Sequence, residues 1–243
     1  MANANMFNFS KQVVIVTGAA GNLGSAVVNA FEAAGATLVA TDSSSGRLSG
    51  MFPKLANTAD HLLADGVDIT NPEAAQAFID ETLRRFKRID VLINTVGGYR
   101  AGTPLHETSL ETFDLMMNLN VRSMLIMCRA VIPTMLKQGT GKVVNVSSPI
   151  ANHGSENASA YSAAKSAVAR ITESMAAEYK RAGLNINAIL PGTIDTPQNH
   201  AAMPEADSST WVTPNALADV ILFLSSDAAH IIQGVLLPVT GKG

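Results

Sequence analysis

Tyr161 and Lys165 stand four residues apart in "ASAYSAAKSAVARITESMAAEY", so a helix through this stretch carries both on one face. A free tyrosine keeps its proton to a pKa of about 10, too high for efficient exchange near neutrality. An ammonium group beside it stabilises the phenolate and lowers that pKa. Pairs at this spacing also arise by chance. Ser148 gives this one weight, because it lies 13 residues before Tyr161, at the end of the strand-like run "GKVVNVSS". A hydroxyl there is placed to polarise the carbonyl oxygen that Tyr161 protonates.

A second constellation occupies residues 13–42, "VVIVTGAAGNLGSAVVNAFEAAGATLVATD". It reads as a strand, a glycine-rich turn, a helix and a strand that ends in an acid. Gly18, Gly21 and Gly24 are spaced G-x-x-G-x-x-G, close to the G-x-G-x-x-G dinucleotide fingerprint but not the same. Gly18 allows a tight exit from the strand, and Gly21 and Gly24 permit close approach of backbone or ligand. The helix that follows aims its amide groups and positive dipole end at a bound pyrophosphate. Asp42 is able to accept both ribose hydroxyl bonds and repels a 2′-phosphate. A glycine turn alone is weak evidence, but this context favours a dinucleotide, and Asp42 favours NAD over NADP.

The elements that must position these residues alternate along the chain. Strand-like apolar runs fall at 12–17, 36–41, 61–68, 89–95, 141–148, 184–191 and 234–239, with helical patterns at 22–34, 72–87, 110–138, 158–182 and 214–226. Strict alternation predicts a parallel sheet of seven strands with helices on both faces and right-handed crossovers. Residues 43–50 read as a loop. Two longer segments, 94–104 and 192–214, interrupt the alternation. Both leave the carboxyl ends of strands, where open α/β sheets bind ligands. The second reads as structureless, and a loop of that length is uncommon unless functional.

Composition sets the outer bounds. The 243 residues suit one large α/β domain, 1–243, and 47% hydrophobic against 15% charged residues suits a doubly covered sheet. A net charge of −3 leaves no footprint for nucleic acid. "MANANMFNFSKQ" lacks the pattern of a signal peptide, and no apolar run is read as approaching the roughly 18 residues of a membrane span. The single cysteine, Cys128, excludes an internal disulfide framework and reads as core, while the five histidines lack metal-ligand spacing. The expectation is a cytoplasmic protein without metal.

Taken jointly, "TGAAGNLG", Asp42, "DIT" at 68–70, "NTVGG" at 94–98, "NLNV" at 118–121, "NVSS" at 145–148, "YSAAK" at 161–165 and "PGTIDT" at 191–196 resemble the short-chain dehydrogenase/reductase family over nearly the whole chain. The resemblance implies a Rossmann-type fold, a nicotinamide cofactor and a catalytic tetrad at Asn120, Ser148, Tyr161 and Lys165. Tyr161 would donate the proton, Ser148 position the carbonyl, and Lys165 bind the ribose and lower the tyrosine pKa. Asn120 would hold a water linking Lys165 to solvent. The cofactor would contact Gly18, Gly21, Asn22, Leu23, Gly24, Asp42, Gly97, Pro191 and Gly192 as well as Tyr161 and Lys165. Asp68 and Ile69 would flank the adenine, Asn94 support the strand at the cofactor, and Ile194 and Thr196 contact the nicotinamide amide. Family precedent also implies a homo-oligomer, most simply a tetramer built on the helices at 110–138 and 158–182.

Three features depart from the family's commonest pattern. Asn22 stands where the second glycine of TGxxxGxG is usual, a spacing nearer the sugar-nucleotide epimerase branch, whose extra C-terminal length is lacking. "NTVGG" replaces the commoner "NNAG". "TVGGYRAG" and "TIDTPQNHAAMPEADSSTW" resemble dihydropteridine reductase, although that enzyme lacks the serine found here at 148. Tyr99, Arg100, Pro149, His153, Met203 and Trp211 are substrate-side candidates, with Met203 and Trp211 as an apolar lid. The leading expectation is an NAD(H)-dependent oxidoreductase for a ketone or secondary alcohol. Pteridine reduction, a non-catalytic NAD sensor and an epimerase are the competing readings.

Overall fold

The computed structural model describes residues 7–56 and 58–242, so half of the N-terminal segment just quoted lies outside the described residues. Along the chain run β1 (Val13–Thr17), α1 (Asn22–Ala33), β2 (Thr37–Asp42), α2 (Leu48–Met51), α3 (Pro53–Ala56), β3 (Leu62–Asp65), α4 (Pro72–Phe86) and β4 (Val91–Asn94). There follow α5 (Leu110–Met117), α6 (Ser123–Gln138), β5 (Gly141–Val146), α7 (Ser159–Tyr179), β6 (Leu184–Pro191), α8 (Pro197–Ala202), α9 (Pro214–Ser225) and β7 (Leu236–Val239). The strands form one seven-stranded sheet in the order β3-β2-β1-β4-β5-β6-β7. Every pairing is parallel, with Val14 opposite Leu38 on one side and Val91 on the other. This is the expected Rossmann-type architecture, and its strand order reverses between β1 and β4.

β-Branched runs such as "VVIVT" are buried along their whole length because both sheet faces are covered. One face packs under α1 and α9 through Val27, Phe31, Leu217 and Ile221. The other packs under α4, α6 and α7 through Phe78, Met127, Val131 and Val168. Each such side chain contributes about 1.5–3 kcal/mol by leaving water. Helix starts follow side-chain chemistry: the Asn71 carboxamide accepts from Ala74 N–H ahead of α4, and the Thr213 hydroxyl accepts from Ala216 N–H ahead of α9. In each case proline fills the first helical position.

Three expectations need correcting. Residues 43–50 are not all loop, because Leu48 is buried and starts α2. Residues 192–214 are not structureless: they hold α8, a 3₁₀ turn at Ser208–Thr210 and a bridge between Ile194 and Val212. The helical stretch Leu110–Gln138 is long and apolar enough to cross a membrane by composition, contrary to the reading of its sequence. Here it is a core helix, with Met124, Met127, Val131 and Met135 buried against the sheet. A π-helical turn, Asn118–Arg122, interrupts it, which the apolar pattern did not reveal.

Candidate active site

Where the strand order reverses, the carboxyl ends of β1 and β4 part and leave a crevice, the usual ligand position in open α/β sheets. Gly18 turns the chain out of β1 at φ +60°, and a Cβ there would meet Val96 Cγ2 at 2.9 Å. A Cβ on Gly24 would run into the Gly18 carbonyl oxygen, so the start of α1 and the turn pack as bare backbone. Gly21 precedes α1 without a side-chain cap, which leaves the first amide groups of that helix open to an anion. Beside them lies a cleft of about 320 Å³ lined by Gly18, Gly21, Asp42, Arg47, Asp68, Ile69 and Gly97. The Asp42 carboxylate accepts from Ala20 N–H at 3.1 Å and from Ser44 N–H at 2.9 Å, which fixes both oxygens at the cleft wall. A glycine cradle, an uncapped helix start and a pinned carboxylate are the parts that an adenosine diphosphate moiety needs. The residues present therefore fit a dinucleotide.

A second cleft, about 580 Å³, shares Thr95 and Gly97 with the first. Ser148, Tyr161 and Lys165 all line it, with Leu23, Tyr99, Pro149, Ile150, Ile194 and Met203 among its other walls. Lys165 is 5% exposed, and its Nζ donates to the Val146 carbonyl at 3.0 Å. A Cβ on Gly97 would lie 3.3 Å from Lys165 Nζ and 2.9 Å from Asn120 Oδ1, so the three groups crowd together. The π-helical turn carries Asn120 to this place. Its carboxamide donates to Gly98 O at 3.1 Å and accepts from Gly98 N–H at 3.2 Å. That doubly bonded grip holds the 97–98 backbone against the cleft.

Burial governs the electrostatics of the Tyr161–Lys165 pair. Burial raises the Tyr161 pKa above the usual phenol value; the Ser148 hydroxyl works against that rise and Tyr99 adds to it. Burial also lowers Lys165 to about 8. Desolvation is the main cause for both groups, and Lys165 is not among the neighbours that move the Tyr161 pKa. Lys165 Nζ lies 5.7 Å from the centre of the Tyr161 ring and spends a hydrogen bond on Val146.

A family model described as short chain dehydrogenase matches residues 12–207. The chain belongs to the short-chain dehydrogenase family. It is 34% identical to 2-(R)-hydroxypropyl-CoM dehydrogenase from Xanthobacter autotrophicus, over 95% of this chain and 97% of that one. It is 31% identical to cis-4-hydroxycyclohexanecarboxylate dehydrogenase from Sinomonas cyclohexanicum, over 96% of each. The crystal structure of levodione reductase superposes with a TM-score of 0.87 at 30% identity, covering 96% of this chain and 98% of that one. As a short-chain dehydrogenase the chain is an oxidoreductase of alcohols and ketones, and the family implies NAD or NADP as cofactor.

Against this short-chain dehydrogenase frame, the residues singled out from sequence divide into groups. Gly18, Gly21, Asp42, Asp68 and Ile69 line the first cleft; Leu23, Ser148, Tyr161, Lys165, Pro191, Gly192 and Ile194 line the second; Gly97 lines both. Asn94 lies beneath, its amide donating to Asn145 Oδ1 at 2.9 Å. Thr196 lines neither cleft: its hydroxyl accepts from Asn199 N–H and starts α8. Asn22 instead points its amide across to Gln198. Of the substrate-side candidates, Tyr99, Pro149 and Met203 line the second cleft. Arg100 lines a small separate pocket with Thr103 and Asn157. His153 is exposed, and Trp211 stacks on His200 within the flap rather than over the cleft. Sequence reasoning missed Arg47, Thr193 and Asn199. Arg47 lies in the stretch 43–50 that reads as a loop, and it comes to the cleft as the residue that precedes α2.

Proposed function

We propose that this chain is an NAD(H)-dependent oxidoreductase that moves a hydride between the nicotinamide and a compact, uncharged ketone or secondary alcohol, with the chain 1–243 acting as one unit. The observation that carries the reading is the pair of joined clefts, with Ser148, Tyr161 and Lys165 on one and the Gly18–Asp42 cradle on the other. The bound dinucleotide supplies or accepts the hydride at the substrate carbon. In reduction Tyr161 gives its phenolic proton to the substrate oxygen while Ser148 Oγ–H bonds the same oxygen. In oxidation Tyr161 takes that proton back. Lys165, buried and charged below about pH 8, would offer its donors to the ribose.

Two choices within this reading have their own support. Among the described residues Lys165 is the one charged side chain lining the second cleft, and its hydrogen bond to Val146 leaves the substrate to face walls that are largely apolar, which favours an uncharged substrate. For the cofactor, Asp42 is held by two backbone amides and cannot swing away, so a 2′-phosphate would meet a fixed negative charge. Arg47 is exposed on the same cleft and would attract that phosphate, but its guanidinium is held by a single hydrogen bond, Nη2 to Ala20 O at 3.2 Å, against the two that fix Asp42. The decisive assay compares kcat/KM for NADH and NADPH with neutral cyclic ketones. NADH should win by about 5- to 150-fold, the range of a coupling worth 1–3 kcal/mol. A preference for NADPH overturns the cofactor assignment.

The active form is proposed to be a homotetramer. Leu110, Phe113, Leu125 and Leu136 remain exposed along α5 and α6, more apolar surface than one chain covers. Light scattering at micromolar concentration checks this, and a monomer contradicts it.

A further inference from the structure

Asn22 opens α1, and its Nδ2 donates to Gln198 Oε1 in α8 at 2.8 Å. Among the described residues this is the one side-chain hydrogen bond that joins the glycine turn, 17–25, to the flap, 192–213. Asn22 has no local use for its carboxamide, since α1 has no side-chain cap and only the Asn22 backbone carbonyl is engaged nearby, by Ser25 Oγ. Gln198 is presented by a braced element. Asn199 Nδ2 donates to Ile194 O at 2.8 Å, His200 Nε2 lies 2.7 Å from Asp195 Oδ1, and the His200 ring packs on Trp211 at 4.8 Å. The bond therefore ties a rigid flap to the uncapped helix start at which the pyrophosphate is expected. Ile194, Asn199 and Met203 of the same flap line the reaction cleft, so the flap also roofs the chemistry.

We infer that Asn22 and Gln198 form a clasp that shuts the flap over the bound dinucleotide and sets the rate of its release. They are positioning residues: they touch each other, not the reacting atoms. The inference rests on the dinucleotide reading above. Its specific content is that one exposed carboxamide pair, rather than the flap's apolar contacts, governs cofactor exchange.

The test uses the full chain and four proteins: wild type, Asn22→Ala, Gln198→Ala and the double variant. Release of NADH, or of NADPH where that binds more tightly, is followed by stopped-flow fluorescence with excess oxidised cofactor as the displacing ligand. Each single variant should release the cofactor about 2- to 10-fold faster, the scale of one neutral hydrogen bond. The double variant should be no faster than the faster single, because either change alone opens the clasp. Hydrogen exchange at 197–203 without cofactor should rise in both singles, while thermal midpoints stay at the wild-type value because both side chains are exposed. Wild-type release rates in both singles, or single effects that multiply in the double, overturn the clasp and leave the cofactor reading intact. Failure of the wild type to bind either dinucleotide overturns both.

Discussion

Tyr99 stands edge-on to Tyr161, with ring centroids 4.8 Å apart and planes at 84°. Tyr99 is itself 71% exposed, so an outer ring shields the Tyr161 phenol from solvent. Burial is the main reason the Tyr161 pKa lies above its ordinary value, with Tyr99 a smaller contributor in the same direction. Tyr99→Ala should therefore move the alkaline rise of alcohol oxidation to lower pH. It should also raise KM for the substrate by about 2- to 10-fold, the scale of one aromatic pair. Tyr99→Phe keeps the ring and loses only the smaller charge contribution of the Tyr99 phenol, so its profile should move less. An unmoved profile in Tyr99→Ala would show that the ring does not shield Tyr161.

Lys165 makes stability depend on pH in a defined direction. Its pKa is about 8 in the folded chain against an ordinary value of 10.5. Between those values the unfolded chain binds more protons, so the stability of the cofactor-free protein gains from this group as pH rises through the window. Below about 8 the full penalty of a buried charge is present. Lys165→Met should abolish catalysis yet melt no lower than wild type at pH 7. The wild type should then gain on the variant by on the order of 3 kcal/mol from pH 8 to 10.5. Denaturant curves across that range are the check, and a constant difference contradicts the burial argument.

Asp42 and Arg47 compete for the same corner of the first cleft. Asp42→Ala removes the fixed negative charge and leaves the guanidinium, so NADPH should become the better reductant. Arg47→Ala should strengthen the preference for NADH by a few-fold. The ratio of kcat/KM values for the two cofactors reports both changes, and an unchanged ratio in Asp42→Ala removes the basis for the assignment.

Ser148 separates ketone reduction from reduction of a pteridine ring. A hydroxyl beside Tyr161 orients a carbon bearing one oxygen, which a quinonoid pteridine does not require. Ser148→Ala should lower ketone reduction by roughly 10²-fold, as for loss of one polarising donor. Efficient quinonoid pteridine reduction that ignores Ser148→Ala would favour the pteridine reading.

The sheet was legible in the sequence because its central strands β1 and β4 are buried on both faces and therefore run almost wholly apolar. "VVIVT" needs no partner to be recognised. The long helices announce themselves by period. Short elements do not: α8 has six residues, too few for a period to show, although Thr196-Pro197 is a helix-start signal in its own right. The π-helical turn at 118–122 keeps the apolar pattern of its neighbours and so passes for plain helix. At the site, the i, i+4 spacing of Tyr161 and Lys165 puts them on one wall. Spacing carries no information about burial, and burial decides the direction of both pKa shifts. Arg47, just before α2, and Gln198, in α8, reach the site on helices too short for local pattern to trace.

In the proposed function Tyr161 is the proton donor of a nicotinamide-dependent reduction. Tyr161→Phe removes one hydroxyl and leaves the ring against Tyr99, so it isolates that role. Steady-state ketone reduction and NADH binding by fluorescence should be measured on the same preparation. The kcat should fall by about 10²- to 10⁴-fold, with NADH binding within a few-fold of wild type. A variant that keeps more than about a tenth of the wild-type rate contradicts it.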